Sequence, residues 1–171
     1  MIYEPREDTY LLKNTIEGLE LKDKQVLEVG TGSGLIAEKM SEMGADVTAS
    51  DINEEALEDL SGDITAIKSD LFENITGSFD LIVFNPPYLP GEEKESELES
   101  SETWLGGEKG IEVTEKFLQD CKSHLNKGGE ALVVLSSLAS IDDLMEKYGL
   151  EVVDTESLWF ETLYVARYTV E

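Results

Sequence analysis

A short apolar run, Val26-Leu27-Glu28-Val29, leads at once into Gly30-Thr31-Gly32-Ser33-Gly34, and an apolar-periodic stretch over 35–43 follows, closed by Gly44. A buried strand, a glycine-rich turn and a helix in that order open a parallel βαβ unit, and few other folds accommodate them. The chain then continues the alternation. Apolar periodicity predicts strands over 46–50, 64–68, 79–84 and 131–135, the last entered through a turn at Gly128-Gly129. It predicts helices over 54–60, over 111–125 with Ile111, Leu118, Cys121 and Leu125 on one face, and over 140–148. A helix over 7–18 comes first, with Tyr10, Leu11, Thr15 and Ile16 at helical spacing. Two β-rich stretches, 150–157 and 162–169, end the chain with no helix between them, which predicts a hairpin added antiparallel at one edge. The expected class is α/β, a seven-stranded mostly parallel sheet with an antiparallel last strand. One domain is expected over 1–171, with an N-terminal helical segment at 1–20 and an acidic, substrate-side loop at 89–109.

Composition narrows what such a sheet can serve. A chain of 171 residues with 40% hydrophobic residues suits one sizeable core. Its one cysteine, Cys121, leaves no internal disulfide and no cysteine-cluster metal site, so no metal is expected. The start, Met1-Ile2-Tyr3-Glu4-Pro5-Arg6, lacks the basic and apolar regions of a signal peptide, and no apolar run is long enough to cross a bilayer. The expected location is cytoplasmic, away from membranes. Thirty-eight acidic residues against thirteen basic ones give a formal net charge of -25. Nucleic acid is itself a polyanion, so this balance argues against direct binding to it. Two readings of the charge stand side by side, a surface adapted to high salt and a basic partner or substrate.

Three motifs carry chemistry. In the first, Gly30, Gly32 and Gly34 allow a tight turn and a close backbone approach to a ligand. The G-x-G-x-G spacing differs from the G-x-G-x-x-G of dinucleotide sites, and Glu28 before it would repel a pyrophosphate. An acid there suits a cofactor carrying an amino group and a sulfonium. The second motif is Asp51 at the end of the second strand, either an acceptor for ribose hydroxyls or a turn residue before the next helix. Asp70-Leu71 follows the third strand in the same way, with Asp70 placed to accept from an adenine amino group and Leu71 to offer a backbone amide. The third motif, Asn85-Pro86-Pro87-Tyr88, ends the fourth strand at the carboxyl edge where α/β sheets bind ligands. Its prolines fix the backbone, leaving the Asn85 side-chain oxygen and the Pro86 carbonyl as outward acceptors, and Tyr88 can stack on a planar group. Such a pair holds the two N–H bonds of a poorly nucleophilic amide nitrogen in line with an incoming methyl.

With these motifs in place the chain resembles the S-adenosylmethionine-dependent methyltransferases, and within them the HemK-like glutamine methyltransferases of translation release factors. It is most similar to their short archaeal and eukaryotic branch. That branch opens on a segment seen here as Tyr3-Glu4-Pro5-Arg6-Glu7-Asp8-Thr9, carries Trp104 to Gly110 after the third motif, and ends near Glu161-Thr162-Leu163. The resemblance implies a Rossmann-like methyltransferase fold and S-adenosylmethionine as cofactor. It implies cofactor contacts at Thr9, Glu28, Gly30, Gly32, Asp51, Asp70, Leu71 and Asn85, and catalytic contacts at Asn85, Pro86 and Tyr88. The stretch between Asp51 and Asp70 is shorter than the family's, so a trimmed helix is expected there. The implied partners are a release factor as substrate and a small zinc-binding activator that adds its strand to the free edge of the sheet. In the usual strand order that edge is the third strand, 64–68, with Ile64, Ala66 and Ile67 as its apolar contacts. Alternatives within reach of the same motifs are adenine-N6 methylation, protein lysine methylation, and a cofactor-binding scaffold active only in a complex.

The remaining residues of note have plainer readings. His124 reads as a surface residue near a helix end, Cys121 as core, and Trp104 and Trp159 as packing residues. The glutamates at 92, 93, 95, 97, 99 and 102 read as a solvated loop or as an acidic lip for a basic substrate.

Overall fold

A computed structural model describes residues 2, 4–86 and 108–170, with the side chains of 108–110 outside that description. Pro87, Tyr88, Trp104 and the 89–107 part of the acidic loop lie outside the described residues. The elements in chain order are α1 (Glu7–Glu17), β1 (Gln25–Val29), α2 (Leu35–Glu42), β2 (Asp46–Asp51), α3 (Glu55–Glu58), β3 (Thr65–Lys68) and β4 (Phe79–Phe84). After them come α4 (Glu108–Cys121), β5 (Leu125–Ser136), α5 (Asp142–Tyr148), β6 (Glu151–Ser157) and β7 (Thr162–Thr169). One seven-stranded sheet runs β3-β2-β1-β4-β5-β7-β6. Pairing is parallel from β3 to β5, and β7 runs antiparallel to both β5 and β6. The expected fold class and the closing hairpin are both present.

Strand period decides how the two faces fill. Val26, Leu81, Val83, Leu132 and Val134 point to one face, where they pack with Leu11, Leu12 and Ile16 of α1 and Ile36, Ala37 and Met40 of α2. Leu27, Ile82, Phe84, Ala131 and Val133 point to the other, against Phe117, Leu118 and Cys121 of α4 and Leu144 of α5. Strands buried on both faces read as continuous apolar runs, as β4 and the second half of β5 do. Burial pushes the Cys121 thiol up to about 12, which leaves it an inert packing group.

Several expectations need correction. On α1 the inward stripe is Leu11, Leu12 and Ile16, while Tyr10 faces outward, because the helix shows the sheet a narrower stripe than the spacing alone marked. The fourth helix ends at Cys121, and its inward residues are Thr114, Phe117, Leu118 and Cys121, with Ile111 half-buried. Leu125 starts β5 and not a helix end. Gly128-Gly129 is therefore no entry turn but lies in an irregular stretch of β5, where Leu125 pairs Phe79 and Glu130 pairs Leu81. A Cβ on Gly129 would sit 2.8 Å from the Asn126 carbonyl and 3.1 Å from that of Phe79, so the irregularity needs glycine there. The helix expected over 54–60 is one turn, α3, in keeping with the short connection. On the edge strand Ile64 turns into the core, leaving Ala66 exposed and Ile67 half-buried. Trp159, read as a packing residue, is 95% exposed.

Leu12 and Ile16 clamp α1 to the sheet, both wholly buried. Leu12→Ala should cost about 2–5 kcal/mol of folding stability, read as a lower urea midpoint with an unchanged slope.

Candidate active site at the carboxyl edge

Register brings the motifs into one line. Val29 of β1 stands opposite Ser50 of β2 and Phe84 of β4, and Ser50 stands opposite Ile67 of β3. The next residues along these strands are Gly30, Asp51, Asn85 and Lys68, so the glycine turn, Asp51 and Asn85 share the carboxyl edge as neighbours. Asp70 and Leu71 follow two residues beyond Lys68.

The glycine turn is held from behind. Gly30, Gly32 and Gly34 all take positive φ, at 67°, 54° and 80°. Gly34 also has no room for a side chain, since a Cβ would lie 2.8 Å from Leu60. The Thr31 amide donates to the Ser50 carbonyl at 2.9 Å, and the Thr31 hydroxyl donates to Glu28 Oε2 at 2.8 Å. Glu28 is buried, and burial pushes its carboxyl up to about 8 against the opposing pull of the Thr31 hydroxyl and the Ala37 backbone. Over most of the neutral range it is therefore the protonated acid that braces the turn against α2.

Asp51 has two bonds of its own. Its Oδ2 accepts the Gly32 amide at 2.9 Å, and its Oδ1 accepts the Asn53 amide at 2.8 Å. The turn role considered for Asp51 is present, with a tie to the glycine loop added. A carboxylate oxygen carries two lone pairs, so both oxygens keep acceptor capacity for hydroxyl groups. Beside it Ile52 is 66% exposed, an apolar surface at the same edge that the sequence reading passed over. Asp70 is exposed and Leu71 takes a positive φ of 48°, rare for leucine. Ser69 holds that conformation, its hydroxyl donating to the Leu71 carbonyl at 2.9 Å and accepting the Asn74 amide at 3.0 Å. Asp70 and Leu71 line an open groove of about 250 Å³, whose far wall includes Lys116, Ser123 and His124. His124 stacks on Phe72 with ring centroids 4.7 Å apart, and its Nδ1 lies 3.1 Å from the Gly77 carbonyl, so it is a packing residue outside the line of motifs.

Asn85 carries the most specific geometry. Its Nδ2 donates to Asp8 Oδ2 at 2.9 Å. With Asp8 Oδ2 as the acceptor, the amide is oriented with its nitrogen toward α1 and its oxygen turned away. Asn85 Oδ1 is left buried with no hydrogen-bond partner among the described residues. A buried carbonyl oxygen costs about 1–3 kcal/mol when unpaired, and native structures carry few of them. Pro86, next in the chain, is buried too. Asp8 comes from the first turn of α1, buried beside Thr9, whose hydroxyl lies 3.5 Å from Asp8 Oδ1 and accepts the Arg6 amide at 3.4 Å. Asp8 was not singled out from sequence, since an acid in the first turn of a helix has an ordinary reading as a dipole partner. The structure thus brings together Thr9, Gly30, Gly32, Asp51, Asn85 and Pro86, sets Glu28 beneath the turn, and holds Asp70 and Leu71 further along the edge.

Comparisons with known proteins give the family. Residues 7–101 match the model of the methyltransferase small domain. A Methanocaldococcus jannaschii protein named as a protein N5-glutamine methyltransferase is 37% identical over 159 residues, covering 85% of this chain and 78% of that one. The catalytic subunit of the Schizosaccharomyces pombe eRF1 methyltransferase is 28% identical over 190 residues, covering 90% and 82%. Among solved structures, the E. cuniculi Mtq2–Trm112 complex, described as responsible for methylation of the eRF1 termination factor, aligns over 99% of both chains with a TM-score of 0.79 and 28% identity.

The raised Glu28 carboxyl sets a pH dependence. Between the ordinary carboxylate value of 4.5 and about 8, the folded chain keeps a proton that the unfolded chain releases. The stabilising share of this group is complete below 4.5 and lost as pH climbs through 8, at no more than about 1.4 kcal/mol per pH unit. Glu28→Gln, which mimics the protonated acid, should remove that slope. Denaturation of both chains from pH 5 to 9 should show the variant gaining on the parent up to pH 8 and then holding level.

Proposed function

The chain belongs to the methyltransferase small-domain family, and from that premise we propose that it transfers the methyl of S-adenosylmethionine to the side-chain amide of a glutamine in a translation release factor. The observation that carries this reading is the Oδ1 of Asn85, buried, aimed by Asp8 and without a partner among the described residues. A primary amide offers two N–H bonds in a plane, and one of them satisfies that acceptor. The Pro86 carbonyl supplies a second acceptor for the other, and Tyr88, outside the described residues, is proposed as the stacking face.

The residues present fit the cofactor. Three glycines at positive φ clear the approach over the turn, and Asp51 is fixed with lone pairs free for two ribose hydroxyls. Ile52 offers an apolar face, Leu71 its backbone amide and Asp70 an acceptor, completing the proposed cofactor set with Thr9, Gly30 and Gly32. When bound, the cofactor supplies an electrophilic methyl on a positively charged sulfur. The protein's task is alignment and charge. Asn85 and Pro86 would hold the nitrogen at the end of β4, and the hydrogen bonds they accept would strengthen as positive charge develops on it, with the N–H proton replaced by the methyl passing to solvent. Glu28 is mostly protonated near neutrality, so a cationic group brought beside it draws the proton off. Cofactor affinity should accordingly rise with pH up to about 8 and lose that dependence in Glu28→Gln.

The proposed substrate follows the names of the relatives and the charge of -25, which disfavours an adenine in nucleic acid as acceptor. A translation factor as substrate goes with a cytoplasmic location. The proposed partner is a small zinc-binding activator, after the two-protein complex to which this chain is similar. Its strand would extend the sheet at β3, which among the described residues pairs only with β2. Ala66 stays exposed there, whereas Ile64 is buried in one core and Ile67 packs against the other.

Labelled cofactor offered to the release factor, to its glutamine-substituted form and to DNA should mark the first alone. Asn85→Ala should lower kcat roughly a hundredfold or more, the scale of losing a transition-state hydrogen bond, with cofactor affinity kept. Asp51→Ala should instead weaken cofactor binding by about 1–3 kcal/mol in calorimetry. Full turnover in Asn85→Ala would overturn the mechanism. Ala66→Pro, if circular dichroism shows it folded, should fail to co-purify with the activator.

A further inference from the structure

Six large hydrophobic side chains are exposed among the described residues: Tyr10, Ile52, Leu138, Val152, Trp159 and Phe160. Val152 lies near the start of β6, at the opposite edge. The other five all come from the carboxyl edge. Ile52 follows β2 and Leu138 follows β5, Tyr10 sits in the first turn of α1 beside Asp8, and Trp159-Phe160 form the tip of the β6–β7 hairpin. Trp159 is 95% exposed and Phe160 60%, their rings meeting edge to face at 6.2 Å.

The tip is held by a dense set of hydrogen bonds, yet none of them needs the aromatic rings. Glu161, buried, accepts the Ser136 hydroxyl, and Ser136 Oγ accepts the Leu138 amide at 3.2 Å. The Leu158 amide donates to the Glu161 carbonyl at 2.7 Å. Ser137 and Thr162 exchange two bonds, Ser137 N to the Thr162 carbonyl at 2.9 Å and Thr162 N to Ser137 Oγ at 2.8 Å. The hairpin tip and the turn carrying Leu138 are thereby one supported surface. Two aromatic side chains offered to water on such a support cost solvation and add nothing to the core.

Their distance from the site says what they face. The tip caps β7 and β6, and Asn85 ends β4. One strand, β5, stands between β4 and β7, so two to three strand spacings, roughly 10–15 Å, separate the tip from Asn85. That is too far for a side chain seated at Asn85 and close enough for the protein that bears it. Acids stand at the same edge, Glu7 at the start of α1 and Glu156 near the end of β6, on a chain of net charge -25. This disfavours a phosphate backbone and complements a basic rim.

We propose that Trp159 and Phe160 are a docking anchor for the folded body of the acceptor protein, which binds through an apolar patch with a basic rim while its modified loop reaches Asn85. This rests on the reading of the chain as a protein methyltransferase. The aromatic pair sets affinity for the acceptor and does not touch the reacting atoms.

The test uses the full chain, with its activator if one co-purifies, against Trp159→Ala/Phe160→Ala. Both positions are exposed, so unfolding is not expected and thermal melts check it. The expected result is a KM for the folded release factor raised about tenfold or more, as for loss of an aromatic hot spot. Cofactor affinity should be unchanged and kcat should stay within about twofold. Turnover of a short peptide carrying the same glutamine, at whatever level the parent shows, should be the same in both chains. An unmoved KM for the folded protein overturns the anchor while leaving the methyltransferase reading intact. So does an equal loss on protein and peptide, which marks a structural role. A parent dimer that the variant dissolves with KM unmoved assigns the patch to a second copy, and an effect confined to nucleic acid assigns it to that polymer; both overturn it. No methylation of the release factor by the parent chain overturns the functional reading and the anchor together.

Discussion

Val29 faces Ser50 across one side of β1 and Phe84 across the other. Slip either pairing by one residue and every side chain on that strand changes face. The two cores forbid it, because Leu27 and Val26 belong to opposite layers with no room for exchange. The register is thus enforced by burial on both faces, and the position of everything at the carboxyl edge follows. Gly30, Asp51 and Asn85 are neighbours because the strands beneath them cannot slide. The glycine turn then needs only local ties, the Gly32 amide on Asp51 and the Thr31 hydroxyl on Glu28, to take its shape.

The edge stores polar groups under strain of burial. Glu28 is held in a place where its charged form is disfavoured, and Asn85 Oδ1 lacks a partner among the described residues. Both burials cost the fold, although the Glu28 acid still anchors the Thr31 hydroxyl. A leucine or glutamine under the turn and a threonine at the end of β4 would bury with less penalty. Their presence is explained by what the edge binds, and the cost is offset by the apolar layers that sandwich the strands. Asp8 is the link between these two economies. It belongs to a helix fixed by Leu11, Leu12 and Ile16, and it hands that rigidity to the Asn85 amide through one 2.9 Å hydrogen bond.

Most of the fold was legible because its strands are buried on both faces and its turns are written in glycine. The seven strands, their alternation with helices and the closing hairpin were all readable from periodicity. The misplacements have physical causes. Leu12 and Tyr10 are both within reach of a helical stripe, and only packing against β6 and β7 decides which turns in. Gly128-Gly129 signals an irregular backbone equally well at a turn and inside a strand, and the continued pairing of Leu125 with Phe79 settles it as the latter. Glu28, Asp51 and Asn85 announced themselves through their motifs. Asp8 did not, because its contact with Asn85 spans 77 positions and no local pattern encodes it. The exposure of Trp159 was equally hidden, since tryptophan in a short linker between strands is usually packed.

That last miss has a common root with the chain's acidity. Composition gives how much charge and apolar surface a chain has, not where either ends up. The sheet decides the placement. Its amino edge carries Asp46 and Asp80, which pair with Gln25 and Asn126 in ordinary polar contacts. Among the described residues its carboxyl edge carries an unsatisfied acceptor, a turn with three glycines at positive φ, and five of the six exposed large hydrophobics. Folding leaves one edge chemically quiet and the other unfinished. An edge unfinished in both polar and apolar terms is matched only by a binding partner that brings both kinds of group, a donor for Asn85 and apolar surface for Trp159 and Phe160. A small molecule in the glycine turn can meet the first demand but cannot extend across β5 and β7 to meet the second. A folded protein presenting one side chain on a loop can meet both at once.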